Sequence, residues 1–444
     1  MSSAGGAADE PPARRRAAQT VSANTALAKS AGHATLPATL GRKPFRPLGE
    51  NMRTQVGIIG AGPAGLLLSH LLHREGIDSV ILESRDRPYI EHRQRAGLME
   101  HDSAALLREL GIGARMDREG LVHEGIVMRF DNQSHRVPLT ELTGGKVVTI
   151  YAQHEVVKDM VAARLVSGEP ILFEVSDVSV HDFDSDAPSI RFRTKDGAAE
   201  TLRCDIIAAC DGFHGICRPS LPDGFLTEYD KIYPFGWLGI LADVAPSLDE
   251  LVYANHENGF ALLSMRSPTV SRYYLQCAPD EDLSAWSDDR IWSELQTRLS
   301  DRDGFTVQTG KITQKGVTAM RSYVVEPMRS GNMFLVGDAA HIVPPTGAKG
   351  MNLAFADVRV LANGLVDFYK RGDKSGLDGY SRTALRRIWK AERFSWWMTS
   401  LMHRFDHATP FERRMQIAEL DYLTGSRTAM TTIAENYVGL PFVM

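Results

Sequence analysis

The period of apolar and polar positions changes several times along the chain. Gln55–Ile59 reads as a short buried strand, Ala64–Arg74 as a helical run behind a glycine-rich turn, and Ser79–Glu83 as a second strand, which together make a β-α-β unit. Ser103–Leu110 has a helical period and stops at Gly111. Ile171–Phe192 alternates as strands do, and Ile206–Ala209 is a buried strand running into Asp211–Gly212. Tyr233–Gln276 is rich in aromatic and β-branched residues with little helical period, which predicts a mostly antiparallel sheet. Met333–Val336 is a further strand, followed by Gly337–Asp338 and a Gly/Pro loop. Leu353–Tyr369 then reads as a helix. From Tyr380 on the pattern is helical and carries Phe394-Ser395-Trp396-Trp397, a cluster suited to a core or to a dimer surface.

These elements predict a mixed α/β and α+β fold. A Rossmann-like nucleotide-binding domain spans 52–227 and a β-sheet substrate domain 228–330. Residues 331–379 return to the nucleotide site with a loop and helix, and 380–444 form a helical C-terminal region. Residues 1–51 differ from the rest, being rich in Ala, Pro, Ser and Gly without hydrophobic period. Such a segment buries too little apolar surface to offset its chain entropy, so it is expected to be a disordered extension, with Met52 a natural beginning for the folded part. Its basic, acid-poor composition keeps a targeting peptide open as the rival reading.

Composition narrows the function. The chain has 444 residues, 43% of them hydrophobic, enough for a sizeable core. A net charge of −5 with mixed signs argues against general nucleic-acid binding. The longest apolar run, Val56–Leu72, is broken by Gly60, Gly62, Pro63 and Gly65 and falls short of a membrane span. Cys204, Cys210, Cys217 and Cys277 form no C-x-x-C pair, as expected of reduced thiols in a cytoplasmic protein.

Gly60-Ala61-Gly62-Pro63-Ala64-Gly65 fits G-x-G-x-x-G between a strand and a helix. The first glycine permits a tight turn, the second lets a pyrophosphate approach the backbone, and the third lets helix and strand pack closely. Glu83, ending the next strand, is placed to accept hydrogen bonds from a ribose diol. Two more turns follow strands, Cys210-Asp211-Gly212 and Gly337-Asp338-Ala339-Ala340-His341. In this order the three segments resemble the signatures of the flavoprotein aromatic hydroxylases.

The resemblance extends from Met52 to the C-terminus. It sharpens toward members acting on 4-hydroxybenzoate at Arg93-Gln94-Arg95-Ala96-Gly97, Gly120-Leu121-Val122-His123-Glu124-Gly125, Tyr233-Pro234-Phe235-Gly236-Trp237-Leu238-Gly239, Tyr253-Ala254-Asn255-His256, Asp338 through Gly350, and Glu435-Asn436-Tyr437-Val438-Gly439-Leu440-Pro441. It implies a monooxygenase that binds FAD non-covalently, takes hydride from NADPH or NADH, and uses O2 to convert 4-hydroxybenzoate to 3,4-dihydroxybenzoate. It implies FAD contacts from Gly60, Gly62, Ala64, Gly65, Glu83, Arg93, Arg95, Gln153, Asp211 and Asp338. It also implies contacts from Lys349, Gly350, Met351 and Asn352 at a helix start where charge on reduced flavin is stabilised. Arg266, with Ser264 and Tyr274, would hold the substrate carboxylate, because a planar guanidinium binds it bidentately. Tyr253 and Tyr437 would draw off the phenol proton, His123 would pass it to solvent, and the Pro345 carbonyl would face the reacting edge of the ring. A homodimer is also implied.

Coenzyme choice stays open, with a lean to NADPH. Arg85, Arg87 and Arg93 suit a 2′-phosphate, but Asp86 and Glu91 stand among them. Met351 stands where a branched aliphatic residue is common in the family, a tolerable exchange. Competing readings are a relative acting on another hydroxybenzoate or an aminobenzoate, a flavoprotein oxidase or reductase without oxygen insertion, and a non-enzymatic flavin-binding protein.

Overall fold

The computed structural model describes residues 52–442; the expected extension over 1–51 lies outside the described residues. A six-stranded sheet runs in the spatial order Arg329–Ser330, Met333–Leu335, Ile206–Ala209, Val56–Ile59, Ser79–Leu82, Ile171–Leu172. All its neighbours are parallel except the first pair. Strands covered on both faces read as unbroken apolar runs, and the four residues of Val56–Ile59 and of Ile206–Ala209 are all buried. Helices Pro63–Arg74 and Gly350–Arg371 cover the sheet and pack against each other.

The second large sheet has eight strands. Thr227–Asp243, Val270–Cys277, Ala261–Ser267 and Val252–Ala254 lie side by side, antiparallel, as the aromatic and β-branched pattern predicts. Lys311–Glu326 and His341–Ile342 extend it on one side. On the other, Ile126–Phe130 pairs parallel with Val252–Ala254 and leads into Gln133–Val137. These two strands come from before the β-rich stretch of sequence and turn through Asp131 and Asn132, both at positive φ (48° and 56°), a two-residue hairpin geometry.

The alternating stretch Ile171–Phe192 divides between two sheets. Ile171–Leu172 edges the parallel sheet, whereas Ser176–His181 and Ser189–Arg193 belong to a separate four-stranded sheet. Glu174 and Asp182 take positive φ at the breaks, which a continuous strand does not tolerate. The C-terminal region is helical over Tyr380–Met402, Pro410–Gly425 and Arg427–Val438. Phe394 is fully buried there, while Trp396 keeps 46% of its surface exposed.

Several histidines are buried uncharged. Burial pulls His70 down to about 4, against a backbone hydrogen bond to the Met160 carbonyl that favours its charge. Between pH 6.5 and 4 the unfolded chain takes up a proton that folded His70 refuses, so this group lowers stability as pH falls through that window and contributes nothing above it. Its share at pH 5 is about 2 kcal/mol. Unfolding free energies measured in denaturant at pH 7 and pH 5 will therefore differ by about 2 kcal/mol less in His70→Gln than in the parent chain. An equal difference in both would remove His70 from the acid response.

Candidate active site

Four loops leave the carboxyl ends of four neighbouring parallel strands and meet in one cleft. Gly60–Gly65 follows Val56–Ile59, Glu83 follows Ser79–Leu82, Asp211–Gly212 follows Ile206–Ala209, and Gly337–Asp338 follows Met333–Leu335. Gly60 sits at φ 102° against the Cys210 carbonyl, and a Cβ on Gly65 would overlap the Gly60 carbonyl oxygen. Gly62 has no protein atom within 4 Å of its Cβ position. Its helix starts at Pro63 with no side-chain cap, leaving the N-terminal N–H groups of the helix to an anion.

Glu83 is fixed by accepting from Ala61 N at 2.7 Å and Arg85 N at 2.8 Å. Asp211 accepts from Cys217 N at 2.9 Å through Oδ2, while its buried Oδ1 has no protein partner. Burial pushes both the Asp211 and Asp338 carboxyls up; His341, Arg95 and Arg93 pull Asp338 back toward its charged form. Asp338 lies deep among protein atoms yet has an exposed surface, because it faces the cleft. Arg95 is bordered by the pairing of Gly97 with Tyr151 (N to O, 2.7 Å), which places Gln153 beside it at the start of helix Gln153–Val166. An uncapped helix start, an open glycine and an orphaned buried carboxylate oxygen fit a dinucleotide with a polyhydroxylated chain, as FAD has.

The residues expected to meet the substrate lie on the eight-stranded sheet. Tyr253 is opposite Leu262, and Leu262 is opposite Tyr274. Ser264 follows Leu262 at an interval of two and takes the same face, while Arg266 sits where the register shifts between Met265 and Ser267 and turns its guanidinium to Ser264 and Tyr274 on that face. The intervening Leu263, Tyr273 and Leu275 pack on the other face beneath helix Asp288–Leu299. Arg266 donates to Ser264 Oγ at 2.9 Å and reaches the Tyr274 hydroxyl at 3.3 Å. Burial lowers its pKa, and neighbouring Arg272 adds to the effect. Tyr253 and Tyr437 share a hydrogen bond of 2.8 Å, and burial raises both phenols, so both are neutral at ordinary pH.

His123 is 1% exposed and neither ring nitrogen has a hydrogen-bond partner, so the structure does not join it to the tyrosine pair. Burial lowers it to about 4, against the pull of Glu250 and Asp249.

The loop Pro344–Lys349 lies between cleft and sheet. Thr346 accepts from Thr399 Oγ1 at 2.9 Å, and Gly347 lies against Ser395, so helix Tyr380–Met402 fixes the loop from behind while Pro345 stays exposed. Ala348 turns through φ 54° into helix Gly350–Arg371, which begins without a side-chain cap at Gly350, Met351 and Asn352. The Lys349 ammonium points inward. It donates to Glu100 Oε1 at 2.6 Å, to the Tyr437 carbonyl at 3.3 Å and to the Asn436 carbonyl. Asn352 accepts from Glu100 N and donates to the Leu98 and Ala348 carbonyls. Both side chains thus brace the loop from within.

Sequence reasoning passed over Glu100, Arg387, Asp357, Arg218 and Arg272. Arg387 completes the Lys349–Glu100 pair from the far side at 2.9 Å. Arg218 bridges the Phe213 and Ala339 carbonyls and so joins the two Asp-bearing turns. Arg272 is opposite Ser264, with its buried Nε unpartnered. Asp357 alone carried a signal, a carboxylate within the apolar face of its helix.

Two glycines separate folding from cofactor binding. Gly62 has φ −74°, which any residue adopts, so Gly62→Val will fold with the Tm of the FAD-free parent protein and lose FAD. Gly65→Ala will fail to accumulate as folded protein, because its Cβ meets backbone. Retention of flavin absorbance by Gly62→Val would contradict a pyrophosphate at that turn.

Residues 53–395 match the family model described as an FAD binding domain. The chain is 49% identical over 393 residues to the p-hydroxybenzoate hydroxylase of Acinetobacter baylyi, covering 88% of this chain and 97% of that protein. A probable NADH-specific resorcinol 4-hydroxylase of Rhodococcus jostii is 25% identical over 326 residues, covering 69% of this chain and 58% of that protein. In fold the chain resembles p-nitrophenol 4-monooxygenase of Pseudomonas putida, with a TM-score of 0.76 and 19% identity, covering 88% of this chain and all of that one. The chain belongs to the p-hydroxybenzoate hydroxylases, within the FAD-binding-domain family of aromatic monooxygenases.

Proposed function

We propose that the protein hydroxylates 4-hydroxybenzoate at its 3-position to give 3,4-dihydroxybenzoate, consuming O2 and NADPH or NADH. The observation that carries the reading is a sheet face bearing a half-buried guanidinium, Arg266 with Ser264 and Tyr274, and Tyr253, which is hydrogen-bonded to Tyr437 of the C-terminal helix in a buried pair. A ligand with a carboxylate at one end and a phenol at the other suits both. Bound FAD supplies hydride acceptance and the activation of O2 as an electrophilic hydroxyl donor.

An aromatic ring is attacked faster as a phenolate, and ionising a phenol of pKa near 10 at pH 7 costs about 4 kcal/mol. The Tyr253–Tyr437 hydrogen bond supports transfer of that proton along neutral hydroxyl groups, with His123, neutral above about pH 4, as the acceptor toward solvent. Glu83, Asp211, Asp338, Arg93, Arg95 and Gln153 would hold the nucleotide. The uncapped helix start at Gly350, Met351 and Asn352 would stabilise negative charge on the reduced ring, and Pro345 would face the reacting carbon.

For the coenzyme, Arg87 is paired with Glu91 at 2.6 Å and Asp86 caps its helix, whereas Arg85 and Arg93 flank the Tyr89 ring. NADPH and NADH both remain co-substrates in this reading. A homodimer is supported by the exposed row Phe411, Met415 and Tyr422 on helix Pro410–Gly425. A cytoplasmic setting agrees with four free, buried cysteines.

Purified FAD-loaded protein in air will oxidise NADPH or NADH slowly alone and rapidly with 4-hydroxybenzoate, forming 3,4-dihydroxybenzoate in near-equal amount. Oxidation that stays slow, or gives only hydrogen peroxide, rules this substrate out. Arg266→Gln will weaken 4-hydroxybenzoate binding by about 3–5 kcal/mol, two to three orders of magnitude or more in Kd, as titrated by flavin absorbance. Tyr437→Phe will bind the substrate but lose its ionisation, so product per NAD(P)H falls and hydrogen peroxide rises. Full coupling in that variant would exclude the tyrosine pair from the proton path.

A further inference from the structure

Asp357 lies on helix Gly350–Arg371, two turns beyond the glycine that opens it, and is 1% exposed. Its Oδ2 accepts from His341 Nε2 at 2.6 Å and from the backbone N–H of Gly337 at 3.1 Å. Gly337 has φ 63° and its Cβ position is crowded by Ala354 and Ala64, so the turn has little room to move. The Gly337 carbonyl accepts from Ala340 N at 2.8 Å, and His341 continues into a strand paired with Val324. Between these fixed points stands Asp338, facing the cleft. We propose that Asp357 and His341 are positioning residues for the cofactor: as a buried ion pair they hold the Gly337–Asp338 turn in the conformation that presents the Asp338 carboxylate to FAD. The inference rests on the reading of Asp338 as an FAD-binding residue.

Two further features agree with it. Burial works against charge on His341, but Asp357, by charge and hydrogen bond, together with Asp338 and Glu392, outweighs it and shifts the ring toward its protonated form. The same imidazolium favours the charged form of Asp338, so removing it weakens both the geometry and the charge of the turn. Apolar side chains of the same shape would pack the helix against the sheet equally well; a carboxylate there is needed only if the turn must be held by its N–H and by His341.

The test measures FAD release from diluted holoenzyme by recovery of flavin fluorescence. Asp357→Asn keeps an acceptor for Gly337 N and removes the charge; His341→Gln keeps a donor to Asp357. Each will raise the FAD Kd at least about tenfold, the effect of one charge-assisted hydrogen bond. Asp338→Ala is the control on the underlying reading, and its Kd will rise as well. Adding Asp357→Asn to Asp338→Ala will cost clearly less than the product of the two single effects, since Asp357 acts through Asp338. A purely structural role would make the effects multiply. If Asp338→Ala binds FAD normally, the cofactor reading of that residue fails and the inference falls with it. If Asp338→Ala weakens FAD but the two other variants stay within twofold, or the effects multiply, the inference alone is overturned. Circular dichroism checks each fold, and if neither Asp357→Asn nor His341→Gln folds, the pair is a folding determinant and the positioning role is wrong.

Discussion

One buried carboxylate, Glu100, ties together the parts of the molecule that the reaction needs to keep in register. It receives Lys349 on Oε1 and Arg387 on Oε2, and its backbone N–H is bound by Asn352. Lys349 belongs to the loop before helix Gly350–Arg371, Arg387 to the long C-terminal helix, and Glu100 to the segment after Arg95. Lys349 and Arg387 also donate to carbonyls of Asn436, Tyr437, Leu440 and Pro441. Gly439, at φ 106°, lies so close over the Glu100 carboxylate that any side chain there would overlap it. Burial, with the neighbouring Arg387, lowers the Lys349 pKa against the pull of Glu100, and the C-terminal carbonyls add acceptors to this dry cluster. Tyr437 is thereby fixed relative to the loop that faces the cofactor cleft.

The two sheets divide the chemistry by their geometry. A parallel sheet offers its carboxyl ends, where chain turns expose N–H groups and carboxylates to a long polar ligand. An antiparallel sheet offers a face, where residues two apart and residues across the ladder point the same way. Gly60–Gly65, Glu83, Asp211 and Asp338 use the first, while Tyr253, Ser264, Arg266 and Tyr274 use the second. Loop 344–349 joins them, pinned by Thr346 to Thr399.

How much was legible follows from the range of each interaction. The glycine turn and Glu83 are set by local backbone demands, so the sequence order β-α-β disclosed them. Ser264 shares a face with Tyr253 and Tyr274 by strand parity, which needs only the right element type, whereas Arg266 reaches that face from a register shift that no alternation announces. The Lys349–Glu100–Arg387 node is different: its members lie 249 and 287 residues apart, and no local period brings them together. The same holds for Ile126–Phe130, which looks like part of the first domain and pairs with Val252–Ala254. Lys349 shows a subtler limit. Its place at a helix start was readable, but the direction of its ammonium was not, since that depends on where Glu100 and the Tyr437 carbonyl stand.

A hydroxylase of this kind must keep water from the reacting ring and still let one proton out. In the proposed reaction the buried tyrosine pair would serve both needs, since two neutral hydroxyl groups can hand on a proton without either holding charge for long. His123 is the difficulty. It is neutral, enclosed, and without a protein hydrogen-bond partner, so no protein group links it to the tyrosine pair. A buried imidazole with no protein partner on either nitrogen needs another group, water included, to satisfy it. The proposed proton path would be completed by water between Tyr437 and His123, or by a shift of His123 or its strand, Leu121–His123. That strand is only three residues long and is bonded to Val148–Ile150 on one side, which makes it one of the less firmly held elements near the site. With such a shift, water exclusion and proton exit would be separated in time rather than in space.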